Sequence, residues 1–360
     1  MKFALNLPLG GVSFGQISVS LMREMYKRKL TPHFFPIGNN IDLSCYDNLE
    51  PGFDQWIKEC VERAHLDHNR KIPIFKLWHL HDSLNSYSDN QFLLSFYELD
   101  SPTPLELNYA KNSTKLLFSS AYAVDTFKSF GLENVDYLPL FFDSNSFHKK
   151  DRNYFPNRIT FNICGKFEKR KNHLKAIREW IRIFGNNAQF ALQCSVYNPF
   201  FNEEQNASIE TQVLGGNKFW NVSFLKFMGK NSEYNDYLNS SDVVIGASGG
   251  EGWGLPEFQS CALGKHAVIL NCNGYKSWAN SNNSIMFEPN CKIPAADGIF
   301  FKENSAHSMG NIFDFSVESY HKALNEAVKK VSINRLNEPG LNLQKEFTIE
   351  KFCDKILSFF

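Results

Sequence analysis

Between Ser248 and Ile269 the chain sets four glycines in six positions, Gly249, Gly250, Gly252 and Gly254, around one carboxylate, Glu251. Glycine lets a backbone approach a ligand closely, and Pro256 just beyond marks the opening of a helix whose first amides would point at that ligand. Such a loop suits a phosphate. Glu251 is poorly explained by packing, because a glutamate is rarely buried without a partner. The alternative reading of the same residues is a surface turn before a helix.

A second cluster supplies the opposite charge. Lys166, Lys169, Arg170, Lys171, Lys175, Arg178 and Arg182 face only Glu168 and Glu179 within seventeen residues. That run is either an anion site or a solvated, lysine-rich helix start. A third stretch, Pro8 to Gly15, is another glycine-rich turn, but it lacks the Gly-x-Gly-x-x-Gly spacing of a dinucleotide site. His79 and His81 sit at the end of an expected strand, and His81, followed by Asp82, is expected to be the one facing a ligand.

Taken together, the segment Glu251-Gly252-Trp253-Gly254-Leu255-Pro256, with Ala262, Gly264 and Val268 in step, resembles the signature of the retaining nucleotide-sugar glycosyltransferases of family 4. That family usually reads Glu-Gly-Phe-Gly-Leu-Pro-x-x-Glu-Ala-x-Ala-x-Gly-x-Pro-Val. Gly165-Lys166 and Lys171 are similar to its Gly-Arg/Lys-x-x-x-x-Lys segment. The resemblance implies a GT-B fold and metal-independent transfer of a sugar, with retention, from a UDP- or GDP-linked donor; no cofactor and no metal are expected. Glu251 would contact the donor sugar, Lys166 and Lys171 would neutralise the departing diphosphate, and His81 would complete the catalytic set. Preorganised cations meeting that developing charge is the chemistry such a bond cleavage needs. The leaving phosphate would itself take the acceptor proton. Alanine at Lys171 is expected to slow turnover by about 10² to 10³ with the fold intact.

The donor-binding set implied by the resemblance is Gly11, Gly249, Gly250, Gly252, Trp253, Gly254, Leu255, Gln259 and Arg170. Gln259 departs from the pattern, standing where the family has the glutamate that accepts hydrogen bonds from the ribose. It keeps one carbonyl acceptor but loses the charge, worth on the order of 1 kcal/mol. Glu257 lies two residues earlier, about 160° round the helix, and is not expected to replace it. Glu98 and Asp100, at a strand end of the first half, would line the acceptor side.

These residues need a scaffold of alternating strands and helices, and the sequence offers it twice. Strands are expected at residues 2–7, 32–36, 74–80, 92–97, 115–119 and 135–140, and helices at 16–29, 54–64 and 122–130. Residues 143–157 turn polar and read as a linker. A second series follows: strands at 158–164, 189–196, 222–227, 242–246 and 267–271, and helices at 172–184, 232–239 and 256–264. Residues 287–314 read as a loop-rich excursion. A last helix follows Phe347, with Thr348 as N-cap, and the resemblance implies that it crosses back onto the first domain. The expected fold class is α/β, with two Rossmann-like α/β/α domains facing a cleft. Residues 1–150 with 345–360 would form the acceptor domain and 156–340 the nucleotide-sugar domain.

Composition bounds the remaining choices. The 360 residues are 43% hydrophobic and 21% charged, with 34 Phe, 13 Tyr and 6 Trp, which excludes a disordered or fibrous chain. The 38 basic and 38 acidic residues cancel, and residues 1–150 hold 15 against 17, so no global field draws the protein to nucleic acid. Eight scattered cysteines without metal spacing are expected to be buried, reduced thiols. No apolar run reaches membrane-spanning length, and a soluble, cytoplasmic protein is expected, with peripheral attachment left open. A glycan, a lipid or a modified DNA base are all open as acceptors, and oligomeric state is open too. The competing functions are a nucleotide-sugar epimerase and a non-catalytic nucleotide or glycan binder.

Overall fold

The computed structural model describes residues 2–38, 41–303, 306 and 309–360. The expected α/β alternation folds into two six-stranded sheets, each parallel throughout. The first contains β1 (Ala4–Pro8), β2 (His33–Ile37), β3 (Ile74–Leu77), β4 (Gln91–Ser95), β5 (Lys115–Phe118) and β6 (Val135–Tyr137), in the order β2-β1-β3-β4-β5-β6. The second contains β7 (Ile159–Cys164), β8 (Phe190–Ser195), β9 (Val222–Phe224), β10 (Val243–Gly246), β11 (His266–Leu270) and β12 (Ile285–Phe287), in the order β12-β11-β10-β7-β8-β9. Their apolar runs are buried on both faces, as parallel strands covered by helices require; β10 and β11 are buried at every position.

Residues 287–314 correct the sequence expectation. Instead of an open loop, β13 (Pro289–Pro294) and β14 (Asn311–Phe315) form an antiparallel pair with a bulge between Pro289 and Cys291. Prolines at both ends of β13 argue against a strand locally, and its partner lies too far along the chain for periodicity to reveal. Ala295, Phe301 and Ile312 from this excursion share one apolar cluster with Leu80, Tyr97, Leu99 and Phe118 of the first sheet's domain. The excursion therefore clamps the two halves together.

The chain end ties them a second time. Thr348 accepts a hydrogen bond from the Lys351 amide, opening the helix Ile349–Leu357, which buries Ile349, Phe352, Cys353 and Ile356. Arg28, which closes the helix Ser13–Lys27, pairs with Asp354, and the Phe360 and Phe359 rings stack on Phe3 and Phe92 at 4.8 and 4.9 Å. The C-terminal helix thus returns to the first domain. All eight cysteines are free thiols, seven of them buried and Cys291 exposed. Among the described residues no helix is long and apolar enough to cross a membrane.

Candidate functional site

Sheet order locates the site before any side chain is considered. In an open parallel sheet the crevice lies beyond the strand ends where successive connections leave in opposite directions. In the second sheet that point is between β7 and β10. The Lys166 to Lys171 segment follows β7 and the Glu251 loop follows β10, so two stretches eighty residues apart meet there.

The meeting is ionic. Lys171, at the end of a single 3-10 turn and 7% exposed, pairs with the Glu251 carboxylate, itself 5% exposed. Gly165, just before the turn, has φ +128°, a backbone conformation that side-chain-bearing residues rarely adopt. Arg170 is also buried. It donates from Nη1 to the Gly250 carbonyl at 2.6 Å, and its guanidinium lies 2.8 Å from Glu168, 3.1 Å from Glu98 and 3.5 Å from Glu251. Burial pushes the Glu251 carboxyl upward, but Lys171 and Arg170 more than offset this and hold it below the ordinary carboxylate value. Burial likewise works against the Lys171 ammonium, and Glu251 outweighs it, leaving the pKa raised. Both partners stay charged.

Lys166 takes a different place. Its ammonium lies 2.9 Å from Glu168 and sits over the Phe200 and Phe300 rings at 5.0 and 4.9 Å, and the side chain remains 36% exposed. Of the two lysines expected to serve one diphosphate, Lys171 is sealed against Glu251 and Lys166 stands at the open edge.

The helix Leu255–Ala262 positions two further polar residues. Gln259, 4% exposed, accepts a hydrogen bond from the Tyr234 hydroxyl at 3.1 Å. Glu257, 3% exposed, lies beneath the glycine loop among Gly246, Gly254 and Tyr275. Burial drives its carboxyl up to about 7, Lys171 pulls it down, and Glu251 adds to the rise.

The loop's glycines face protein rather than open space. A Cβ on Gly249 would strike the Phe313 backbone, one on Gly252 would come within 2.8 Å of Phe96 Cβ, and one on Gly254, at φ +83°, would strike the Tyr275 ring. Glycine is thus required here by the protein packed against the loop, and what the loop has left for a ligand is its amides. The carbonyls of Gly250, Glu251, Gly252 and Trp253 accept hydrogen bonds from Arg170, the Gly274 amide, Ser119 and the Trp278 indole. The amides of Glu251, Gly252, Trp253 and Gly254 donate to no acceptor among the described residues. Trp253 itself is buried between Phe258 and Phe347, and Leu255 is partly buried at the helix start.

Across the cleft the first domain presents rings. Phe14 stacks on Phe96 at 4.3 Å and touches His79 at 4.9 Å. Of the two histidines at this strand end, His79 packs on Phe14 and feels the Lys166 charge, and His81 stacks on His79 at 5.5 Å. The strand stops at Leu77, three residues before the expected end, because Lys76 pulls residues 80–85 into a turn by bonding the Asp82 and Asn85 carbonyls at 2.8 and 2.6 Å. A Cβ on Gly11 would stand 3.1 Å from Cys45 Sγ. Glu98 reaches Arg170, while Asp100 is taken by Lys292 and the Asn311 amide, both at 2.8 Å.

Glu257, Glu168, Tyr234 and Tyr275 complete the site without having been given a role in it from sequence. Glu257 carried a signal as a charge inside an otherwise apolar helix start, and Glu168 as one of two acids within the cation run.

No protein-family profile matches the chain, and no curated protein matches it in sequence. Solved structures do. Sucrose-phosphate synthase from Thermosynechococcus elongatus superimposes with a TM-score of 0.67 at 12% identity, covering 99% of this chain and 98% of that one. The Anabaena protein HepE, in complex with UDP-glucose, gives 0.65 at 14% identity, with 99% of each chain covered. A glycosyltransferase from Rickettsia africae gives 0.65 at 12% identity, covering 99% and 97%. The fold is GT-B. At these identities the likeness speaks for architecture, and the side chains must speak for chemistry.

Proposed function

We propose that this protein is a glycosyltransferase that moves a sugar from a nucleoside-diphosphate donor, UDP- or GDP-linked, to an acceptor on a glycan or lipid, with retention and without a metal. The observation that carries this reading is the buried Glu251–Lys171 pair beside four loop amides that donate to no acceptor among the described residues. Two buried opposite charges hold each other until a ligand offers each a better partner: hydroxyls for the carboxylate, a phosphate for the ammonium. The amides of Glu251 to Gly254, at the start of the helix Leu255–Ala262, add oriented positive dipoles for the same phosphate. Lys166 and Arg170 supply further positive charge as the diphosphate departs. The donor would occupy the domain of residues 156–340, and the acceptor that of residues 1–150 with 345–360. Gln259, already bonded to Tyr234, would meet the ribose through its remaining lone pair and amide hydrogens.

Mass-spectrometric detection of nucleotide released from UDP-glucose, UDP-galactose, UDP-N-acetylglucosamine and GDP-mannose tests this, with and without pooled glycan and lipid acceptors. Wild type should release nucleotide from one donor in an acceptor-dependent way, and Glu251→Gln should lose that release while remaining folded by circular dichroism. Release indifferent to Glu251, or binding without release, removes the assignment.

A further inference from the structure

We infer that a groove in the second domain, separate from the Glu251 site, binds a phosphate group. The groove runs between the start of the helix His173–Phe184, Gln212 of the helix Glu203–Leu214 and residues 296–300 of the excursion, and has a volume of about 840 Å³. That is room for a phosphorylated sugar. Neither Lys171, Glu251 nor Gln259 lines it.

The helix His173–Phe184 begins without a side-chain cap and without an acidic residue in its first turn. The amides of His173, Leu174 and Lys175, three residues that line the groove, donate to no acceptor among the described residues. Free N–H groups with a helix dipole behind them attract negative charge.

Two cations stand ready on the same walls. Arg178 donates from Nε and Nη2 to the Val213 and Gln212 carbonyls at 3.2 and 2.9 Å, and Lys169 donates to the Pro294 and Ala296 carbonyls, both at 2.8 Å. Carbonyls hold these side chains in place without cancelling their charge, and neither cation has a carboxylate partner among the described residues. Their neighbours differ: Lys175 is matched to Asp314 at 2.7 Å and Arg182 to Glu179 at 3.1 Å. The acids of the groove are engaged as well. Glu168 holds Lys166 and Arg170, Glu179 also meets His321, and Asp297 Oδ1 accepts the amides of Ile299, Phe300 and Phe301.

His173, 3% exposed on the groove wall, has an Nδ1 with no hydrogen-bond partner among the described residues. Burial and the Lys171 charge lower its pKa to about 3, so the ring is neutral and adds a hydrogen-bonding atom without adding charge. Half-buried Phe167 and Phe201 offer apolar surface to whatever carries the phosphate. Two sources present that group: a soluble sugar phosphate and a phospholipid headgroup.

Calorimetry with glucose 6-phosphate, and with glucose as control, tests the site in wild type, Lys169→Gln, Arg178→Gln and Arg182→Gln. Flotation with phosphatidylcholine vesicles, with and without phosphatidylglycerol, tests the lipid source. Wild type should bind glucose 6-phosphate and not glucose. Lys169→Gln and Arg178→Gln should each weaken binding by about 10- to 100-fold, and Arg182→Gln, whose charge is already matched, should stay within threefold. Arg178 also tethers the neighbouring helix, so Lys169→Gln, which touches only loop carbonyls, decides the matter if Arg178→Gln is unfolded by circular dichroism. Flotation that needs phosphatidylglycerol, Lys169 and Arg178, without glucose 6-phosphate binding, assigns the phosphate to a lipid. Binding of neither probe overturns the site. So does a loss at Arg182→Gln equal to that at Lys169→Gln, which would mean diffuse surface charge. None of these readouts depends on nucleotide release, so they stand apart from the test of the transfer proposed above.

Discussion

Among the described residues two lysines are buried, one in each domain, and they are satisfied in opposite ways. Lys76, 1% exposed on β3, bonds Asp82 at 2.7 Å and the carbonyls of Asp82 and Asn85. Every partner lies within nine residues, so it folds a turn. Lys171 bonds Glu251 across eighty residues, with Glu257 and Arg170 close enough to shift its charge. Burial lowers the Lys76 pKa against the pull of Asp82, whereas Glu251 turns the balance at Lys171 the other way. A lysine held by local carbonyls is a structural pin. One held by a distant carboxylate brings together a place where charge can be exchanged with a ligand.

Substituting each lysine tests that contrast. The largest effect is expected at Lys171→Met: nucleotide release should fall by about 10² to 10³, and unfolding in urea should show a loss of about 3–5 kcal/mol, because Glu251 is left buried without its counter-charge. Adding Glu251→Gln should recover most of the stability and none of the rate, a coupling readable in a double-mutant cycle. Full additivity would show that the pair is not the unit described here.

Lys76→Met should cost about 1–3 kcal/mol, from carbonyls left without a donor, while nucleotide affinity stays within twofold. A comparable loss of affinity would erase the distinction between the two lysines.

Glu257 sharpens it from the other side, by pH. Its folded pKa of about 7 lies above the ordinary 4.5, so the folded protein binds the extra proton. This group's contribution is most favourable below about 4.5 and is lost as pH rises through 7. Glu257→Gln should therefore gain on wild type between pH 5 and pH 8, by at most ~3 kcal/mol. A difference in urea stability that does not change with pH would place that carboxyl elsewhere.

Much of the fold was legible because burial on both faces writes parallel strands as apolar runs, as in β7, β10 and β11. Among the described residues five α-helices lie outside the elements expected from periodicity: Pro104–Lys111, Glu203–Leu214, Val317–Ile333 and the single turns Glu338–Leu341 and Leu343–Glu346. Two of them announce themselves chemically instead. Thr103 with Glu106 and Asn202 with Gln205 form capping boxes, a signature readable from spacing even where the apolar stripe is weak. The excursion of residues 287–314 had no such mark, because its pairing joins strands whose separation local rules do not reach.

The sequence by itself determined the alternation of elements, the glycine loop with its lone carboxylate and the cation run after β7, since each is written in contiguous residues. Only the tertiary structure decided which of these charges meet. It paired Lys171 with Glu251, left Lys166 at the rim, packed His79 on Phe14, and closed the loop glycines against Phe96, Phe313 and Tyr275. The reason is distance in sequence. A pairing across eighty residues is set by sheet order and domain docking, and a charge's environment is the sum of everything that packing brings to it.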